Sequence, residues 1–189
     1  MTLTPEEMFV KSGAVLKGHF LLTSGLHSPV YWEKFLVLQY PEFTQELCRL
    51  IVERYGREDV QVVAGPTTGG VILAYEVAKQ LGVRGIFAEK KEGSNERSFR
   101  RGFDIKAGER VLLVDDLLTT GGSVREVIAP ILAKKGLLIG IGVLVDRSEK
   151  GIDFGYPLFS CLRSPAVAYK PSECPLCAAG VPLEKRGGS

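Results

Sequence analysis

Short aliphatic runs bounded by turn residues recur along the chain, and longer stretches with helical periodicity lie between them. Residues 60–64, 84–88, 111–114, 137–145 and 156–162 are strand candidates. The most aliphatic of them show no polar alternation, as expected of strands buried on both faces of a parallel sheet. Residues 41–55, 71–81 and 123–135 are helix candidates, the first placing Phe43, Leu47, Leu50 and Ile51 on one face. Strand, loop and helix in repetition predict an α/β fold with a central, mostly parallel sheet flanked by helices. The N-terminal portion breaks this rhythm. Residues 4–12 read as a helix with Thr4 as N-cap, Pro5 at the first helical position and Glu6 and Glu7 favouring the dipole, with Met8, Phe9 and Val10 turned inward. Residues 18–32 read as two short antiparallel strands around a Ser-Gly turn, a small hood over the sheet edge. The whole is expected to be one domain: a hood portion at 1–40, a core at 41–162 and a tail at 163–189.

Composition narrows this picture without redirecting it. A chain of 189 residues suits one domain, burying about 70% of its unfolded surface. Its 24 Lys and Arg against 22 Asp and Glu give a net charge of +2, too small a field to call for nucleic acid or an anionic membrane. A hydrophobic content of 45% and a mean hydropathy of +0.10 describe an ordinary globule. No apolar run approaches transmembrane length and the N-terminal stretch is acidic, so the cytoplasm is the expected location. Basic residues gather between Lys90 and Arg101, which suits a small anion better than a polymer.

The chemistry concentrates after the strand candidate at 111–114. Two carboxylates, Asp115 and Asp116, follow it and are expected to end the strand, where open α/β sheets place their ligands. Thr119, Thr120, Gly121, Gly122 and Ser123 then lead into a helix. Small residues let backbone N–H groups close on a phosphate, and the helix N-terminus adds its positive dipole end. Carboxylates beside a phosphate cradle need another partner on the same ligand. An ionised carboxylate is a pure acceptor, so vicinal ribose hydroxyls fit. A P-loop would need a Gly-Lys step, and the chain contains none.

This pattern resembles the binding signature for 5-phosphoribosyl-1-pyrophosphate (PRPP) in type I phosphoribosyltransferases. The resemblance implies that Asp115 and Asp116 hold the ribose hydroxyls and that residues 119–123 hold the 5-phosphate. It makes 65–70, a second N–H-rich turn before a helix, the pyrophosphate loop, with Thr67, Thr68 and Gly69 as contacts. The polar stretch 89–103 is long for a structureless connection. In the resemblance it is a mobile catalytic lid, with Lys90, Lys91, Arg100 and Arg101 reaching the leaving group and Arg97 as a further candidate. Two cations common in relatives are missing, one where Thr23 stands and one where Gly69 stands.

Phe20, Leu22, Ser24, Gly25, Ser28 and Pro29, with Tyr31 and Trp32 behind them, are similar to the hood of orotate phosphoribosyltransferases. There Ser24, Tyr31 and Trp32 would lie near the base, with Thr119 also on that side. Asp146-Arg147 ends the strand candidate at 137–145, and in the resemblance Arg147 forks onto the orotate carboxylate; a local Asp146–Arg147 salt bridge is the plain alternative. The implied reaction joins orotate and PRPP into orotidine 5′-monophosphate and pyrophosphate, in UMP biosynthesis, with Mg²⁺ carried mainly by PRPP and water. The implied assembly is a homodimer whose loops cross the interface. Transfer to a purine or uracil, and a non-catalytic PRPP-sensing regulator, are the alternatives.

His19 and His27 read as hydrogen-bonded structural residues without a metal-like partner nearby. Cys174 and Cys177 offer half a zinc site, and a structural turn is the simpler reading, with zinc bridging two subunits as the alternative. Cys48 and Cys161 are remote in sequence and sit in apolar surroundings.

Overall fold

In the computed structural model, residues 3–94 and 96–186 are described. Residues 1–2 of the hood, Asn95 of the basic loop and 187–189 of the tail lie outside the described residues. Helix α1 (Pro5–Lys11) begins at a capping box: Thr4 accepts from the Glu7 backbone, and Glu7 reaches back to the Thr4 N–H at 2.8 Å. Met8 and Phe9 turn inward, but Val10 is 62% exposed, because a helix of two turns buries only one narrow face. Strands β1 (Val15–Leu21) and β2 (His27–Trp32) pair antiparallel and form the hood.

The core sheet follows the expected alternation. After the short α2 (Phe35–Leu38) and α3 (Pro41–Tyr55) come β3 (Val62–Pro66), α4 (Gly69–Leu81), β4 (Arg84–Lys90), β5 (Arg97–Phe99), β6 (Arg110–Leu118), α5 (Gly122–Ala133), β7 (Leu137–Asp146) and β8 (Leu158–Arg163). The strands lie in the order β5-β4-β3-β6-β7-β8, all parallel except β5, which runs back along β4. Side-chain alternation sends Leu112 and Val114 to a core shared with Leu47, Ile51, Leu73 and Val77 of α3 and α4. Val111 and Leu113 face the opposite core, with Val124, Val127 and Ile131 of α5. The buried stripe of α3 is Thr44, Leu47, Cys48, Ile51 and Tyr55, while Phe43 and Leu50 flank it, half-buried. Truncating Ile51, wholly buried against the sheet, would cost about 2–5 kcal/mol.

Two expectations change here. The acid pair lies within β6, which runs on to Leu118, because pairing with β7 continues through Asp115↔Val143 to Leu118↔Asp146. The tail is more than a turn: its strand β9 (Glu184–Lys185) adds to β1 in the order β2-β1-β9, after a 3₁₀ turn at Pro171–Glu173 and the single-turn α6 (Pro175–Ala178). Among the described residues, no helix is long and apolar enough to cross a membrane.

Candidate active site

The site forms at the carboxyl ends of the parallel strands. Asp115 and Asp116 are adjacent in β6 and so point to opposite faces. Asp115 turns toward α5 and accepts from Ser123 Oγ at 2.6 Å and from the Asp116 N–H at 2.8 Å. Asp116 turns toward the hood, where Lys34 Nζ lies 3.0 Å from both its oxygens and donates to Oδ1. Oδ2, though equally near that ammonium, is buried and has no hydrogen bond among the described residues. Burial raises the pKa of both carboxyls; for Asp115 the neighbouring Asp116 adds to the rise, and for Asp116 the Lys34 charge opposes it. Such a pair gains from any donor or cation brought to it, and it fits ribose hydroxyls or hydrated Mg²⁺.

Lys34 is a cation at the acid pair that the sequence reading missed. Its partner lies 82 residues away, so no local pattern could reveal it. The structure leaves no room for a side chain at Gly69: a Cβ there would overlap Asp116 Oδ2. Gly69 and Asp116 are fitted to each other, and the cation beside Asp116 is Lys34.

The 119–123 turn leads from β6 into α5. Thr119 and Thr120 are exposed, and Gly121 turns the chain with φ +79° into α5. A Cβ on Gly121 would also sit 2.8 Å from the Phe154 ring. No side chain caps α5, so its first N–H groups remain open to an anion. Ser123 faces the loop but spends its hydroxyl on Asp115. In the second loop Thr67 and Thr68 are joined by a cis peptide. Thr68 and Thr67 are exposed and half-buried, ahead of buried Gly69.

The basic loop is not structureless. Lys90 pairs with Arg97 in the β4–β5 register, and the Lys91 N–H bonds to the Glu96 carbonyl at 2.9 Å, closing a hairpin. Three of its cations are engaged within the chain. Lys91 pairs with Glu96 at 2.7 Å and Arg101 with Glu89 at 2.8 Å. Arg97, its side chain 7% exposed, donates to Glu126 at 2.9 Å and to Thr67 Oγ1 at 2.9 Å. Among the described residues, Lys90 and Arg100 stand outside these ion pairs, both exposed.

Arg147 is where the two readings of its sequence neighbourhood separate. Asp146 accepts from Ser148 and pairs with Arg163 at 3.1 Å, so it is not the partner of Arg147. Arg147 is 7% exposed, its buried Nε has no hydrogen-bond partner among the described residues, and its guanidinium lies 5.2 Å from the Trp32 ring centre. Burial lowers its pKa to about 10, which leaves it charged at neutral pH. Trp32 packs edge-on against Phe9 at 5.1 Å and carries Arg147 on its ring. Tyr31 is half-buried beside Phe20, and Ser24 is exposed in the hood turn. A cavity of about 260 Å³ is lined by Trp32, Arg147, Val30, Pro165 and Val167 among others, and its wall does not include the acid pair.

Comparison with known proteins agrees with this geometry. Residues 37–170 match the family described as Phosphoribosyl transferase domain. The orotate phosphoribosyltransferase of Pelotomaculum thermopropionicum is 48% identical over 95% of this chain and 94% of its own length. That of Caldanaerobacter subterraneus subsp. tengcongensis is 48% identical over 96% and 94%. The crystal structure of orotate phosphoribosyltransferase from Aeropyrum pernix superposes with a TM-score of 0.71 at 28% identity, covering 82% of this chain and 90% of that one. Acid pair, open helix terminus and unpaired arginine thus stand in a chain that belongs to the phosphoribosyltransferases and, among them, to the orotate phosphoribosyltransferase family.

Proposed function

We propose that the protein transfers the 5-phosphoribosyl group of PRPP to orotate, releasing pyrophosphate and forming orotidine 5′-monophosphate, a step of UMP biosynthesis. The observation that carries the base assignment is Arg147: a buried guanidinium with an orphaned Nε and no carboxylate of its own. An unpaired buried charge is costly, and a planar carboxylate on the substrate would satisfy it bidentately.

In this reading the ribose hydroxyls donate to Asp115 and Asp116, with Asp116 Oδ2 as the acceptor left open. The N–H groups at the start of α5, with Thr119 and Thr120, take the 5-phosphate. The 67–69 turn takes the pyrophosphate. As the C1–oxygen bond breaks, its electron pair leaves with pyrophosphate and positive charge grows on the ribose. The acid pair beneath the ring opposes that charge, and a ring nitrogen of orotate forms the new bond to C1. Arg147, Tyr31 and Trp32 hold the base in line, which removes orientational entropy from the encounter. Mg²⁺ travelling with PRPP would neutralise the leaving group and keep much of its water, with the acid pair and the 67–69 turn near that shell.

The active form in this reading is a cytoplasmic homodimer. An exposed apolar groove lined by Leu38, Pro41, Val71, Ile72 and Tyr75, with Tyr75 70% exposed, supports an interface. Lys90 and Arg100, exposed on the hairpin, are the cations available to a neighbouring site.

Kinetics of Arg147→Ala test the assignment. Loss of one charge-assisted contact of about 1.5–3 kcal/mol predicts an orotate KM raised roughly 10–150-fold, with PRPP affinity nearly unchanged. A variant that instead loses PRPP affinity would move Arg147 to the pyrophosphate site.

A further inference from the structure

Hood and tail meet at a cluster that phosphoribosyl transfer does not use. His19 of β1 and His27 of β2 are buried, and the tail brings Cys174 and Cys177 onto them. The two residues read separately as structural histidines, and the two read as a plain turn, therefore form one group. One ligand atom from each of the four lies within 4.8 Å of every other. His19 Nε2 is 2.9 Å from His27 Nδ1 and 3.5 Å from Cys174 Sγ. Cys177 Sγ is 3.3 Å from His27 Nδ1 and 3.8 Å from His19 Nε2. A tetrahedral zinc ion with two sulfur and two nitrogen ligands has ligand–ligand edges of roughly 3.3–3.8 Å.

A second observation concerns the tautomer. His19 Nδ1 lies 2.8 Å from the Val181 carbonyl, which only accepts, so Nδ1 carries the proton. Nε2 then presents a bare lone pair to the cluster. A carbonyl on the far nitrogen is the usual outer support of a metal-bound histidine. Both cysteines are free thiols. An S₂N₂ set with tetrahedral spacing selects zinc among common divalent ions.

The third observation is how little else holds the tail. From residue 171 to 186, Cys174 alone is buried, yet the segment forms a 3₁₀ turn, a helical turn and a strand. Two backbone bonds between His27 and Tyr169, at 2.9 and 2.8 Å, attach its start to the hood. A segment without an apolar core needs a different source of order, and in small motifs that source is a structural metal.

We propose that His19, His27, Cys174 and Cys177 bind one structural zinc ion within a single chain, fastening the tail to the hood. Both thiols bind as thiolates, and their protons pass to solvent. The upstream part of the tail lies against the base side of the site: Ala166 N–H donates to the Arg147 carbonyl at 3.0 Å, Ser28 Oγ donates to the Val167 carbonyl at 2.8 Å, and Pro165 and Val167 line the cavity beside Arg147. The ion thus sets the position of a wall of that cavity without touching a substrate.

The test uses the full chain, purified under reducing conditions without chelator or immobilised-metal resin. Elemental analysis should find about one zinc per chain, and the Cys174→Ser/Cys177→Ser variant should fall to background. Exchange of zinc for Co²⁺ in the unaltered protein should give thiolate-to-cobalt charge transfer and the intense visible bands of tetrahedral cobalt, a readout that needs no variant to fold. Chelation should speed protease cleavage of the tail by at least about tenfold while the core resists. Background zinc in protein offered zinc and then dialysed, an octahedral cobalt spectrum, or a double variant that keeps its metal would each overturn the proposal.

Discussion

Arg147 and Asp146 are neighbours in sequence, and the proposed recognition of the base rests on their not pairing with each other. Asp146 is satisfied by Ser148 and Arg163, so the guanidinium beside it is free for a ligand. Arg147 could be singled out in the sequence as a candidate because it is a basic residue at the carboxyl end of an aliphatic strand, where open α/β sheets place their ligands. Lys34 and Arg163 could not, because their value lies in pairs made 82 and 17 residues away. The acid pair yields a pH prediction. Burial raises the pKa of Asp115 in the folded protein above its unfolded value, so the native state binds this proton more tightly. Its contribution to stability is full below the unfolded pKa and is lost as pH rises through the folded one. Between about pH 4 and pH 8, the Tm of the ligand-free protein should fall relative to that of Asp115→Asn. A difference that stays flat, or that grows in favour of the unaltered protein, would place Asp115 in a better-solvated site than the structure gives it.

At the scale of elements, the strand–loop–helix units were readable because their aliphatic and amphipathic periods differ. The two elements read least well were those whose order comes from distant contacts. Residues 89–103 carry so many charges that they read as solvated lid, yet Arg97 anchors them as a hairpin to Thr67, Ala88 and Glu126. The tail offers no apolar period at all, and its four-residue cluster depends on histidines more than 140 positions earlier. The hairpin has two classes of cation, which separate by experiment. Arg97→Ala removes hydrogen bonds from a charged group and should destabilise the fold by about 1–3 kcal/mol, lowering Tm by roughly 2–12 °C. It should also weaken PRPP binding, since Thr67 loses its support. Lys90→Ala with Arg100→Ala should leave Tm within about 1 °C and lower turnover instead, as exposed charges contribute little to stability. Thermal melts and steady-state kinetics on the two variants check this; equal effects would mean that the hairpin acts as one scaffold.

For the whole molecule, the hood closes over one end of the sheet while the hairpin projects from its edge strand. The proposal that the hairpin of one subunit serves the site of the other in a dimer can be tested by complementation. A protein with Ala at Lys90 and Arg100 and one with Asn at Asp115 and Asp116 should each turn over poorly. After dissociation and reassociation, a mixed dimer would hold one complete site, so activity should rise only once subunits exchange. Exchange verified by mass with no gain in activity would confine the hairpin to its own subunit. In the proposed reading, Arg147 directs PRPP chemistry at the acid pair to a carboxylated base. Pyrophosphate release from PRPP and Mg²⁺, measured in parallel with orotate, uracil, adenine and hypoxanthine, tests it most directly. Release should be rapid with orotate and, since uracil lacks only the carboxylate, slower with uracil by roughly 10–150-fold or more at equal subsaturating concentration. Equal rates with uracil and orotate, or release favouring a purine, would contradict it.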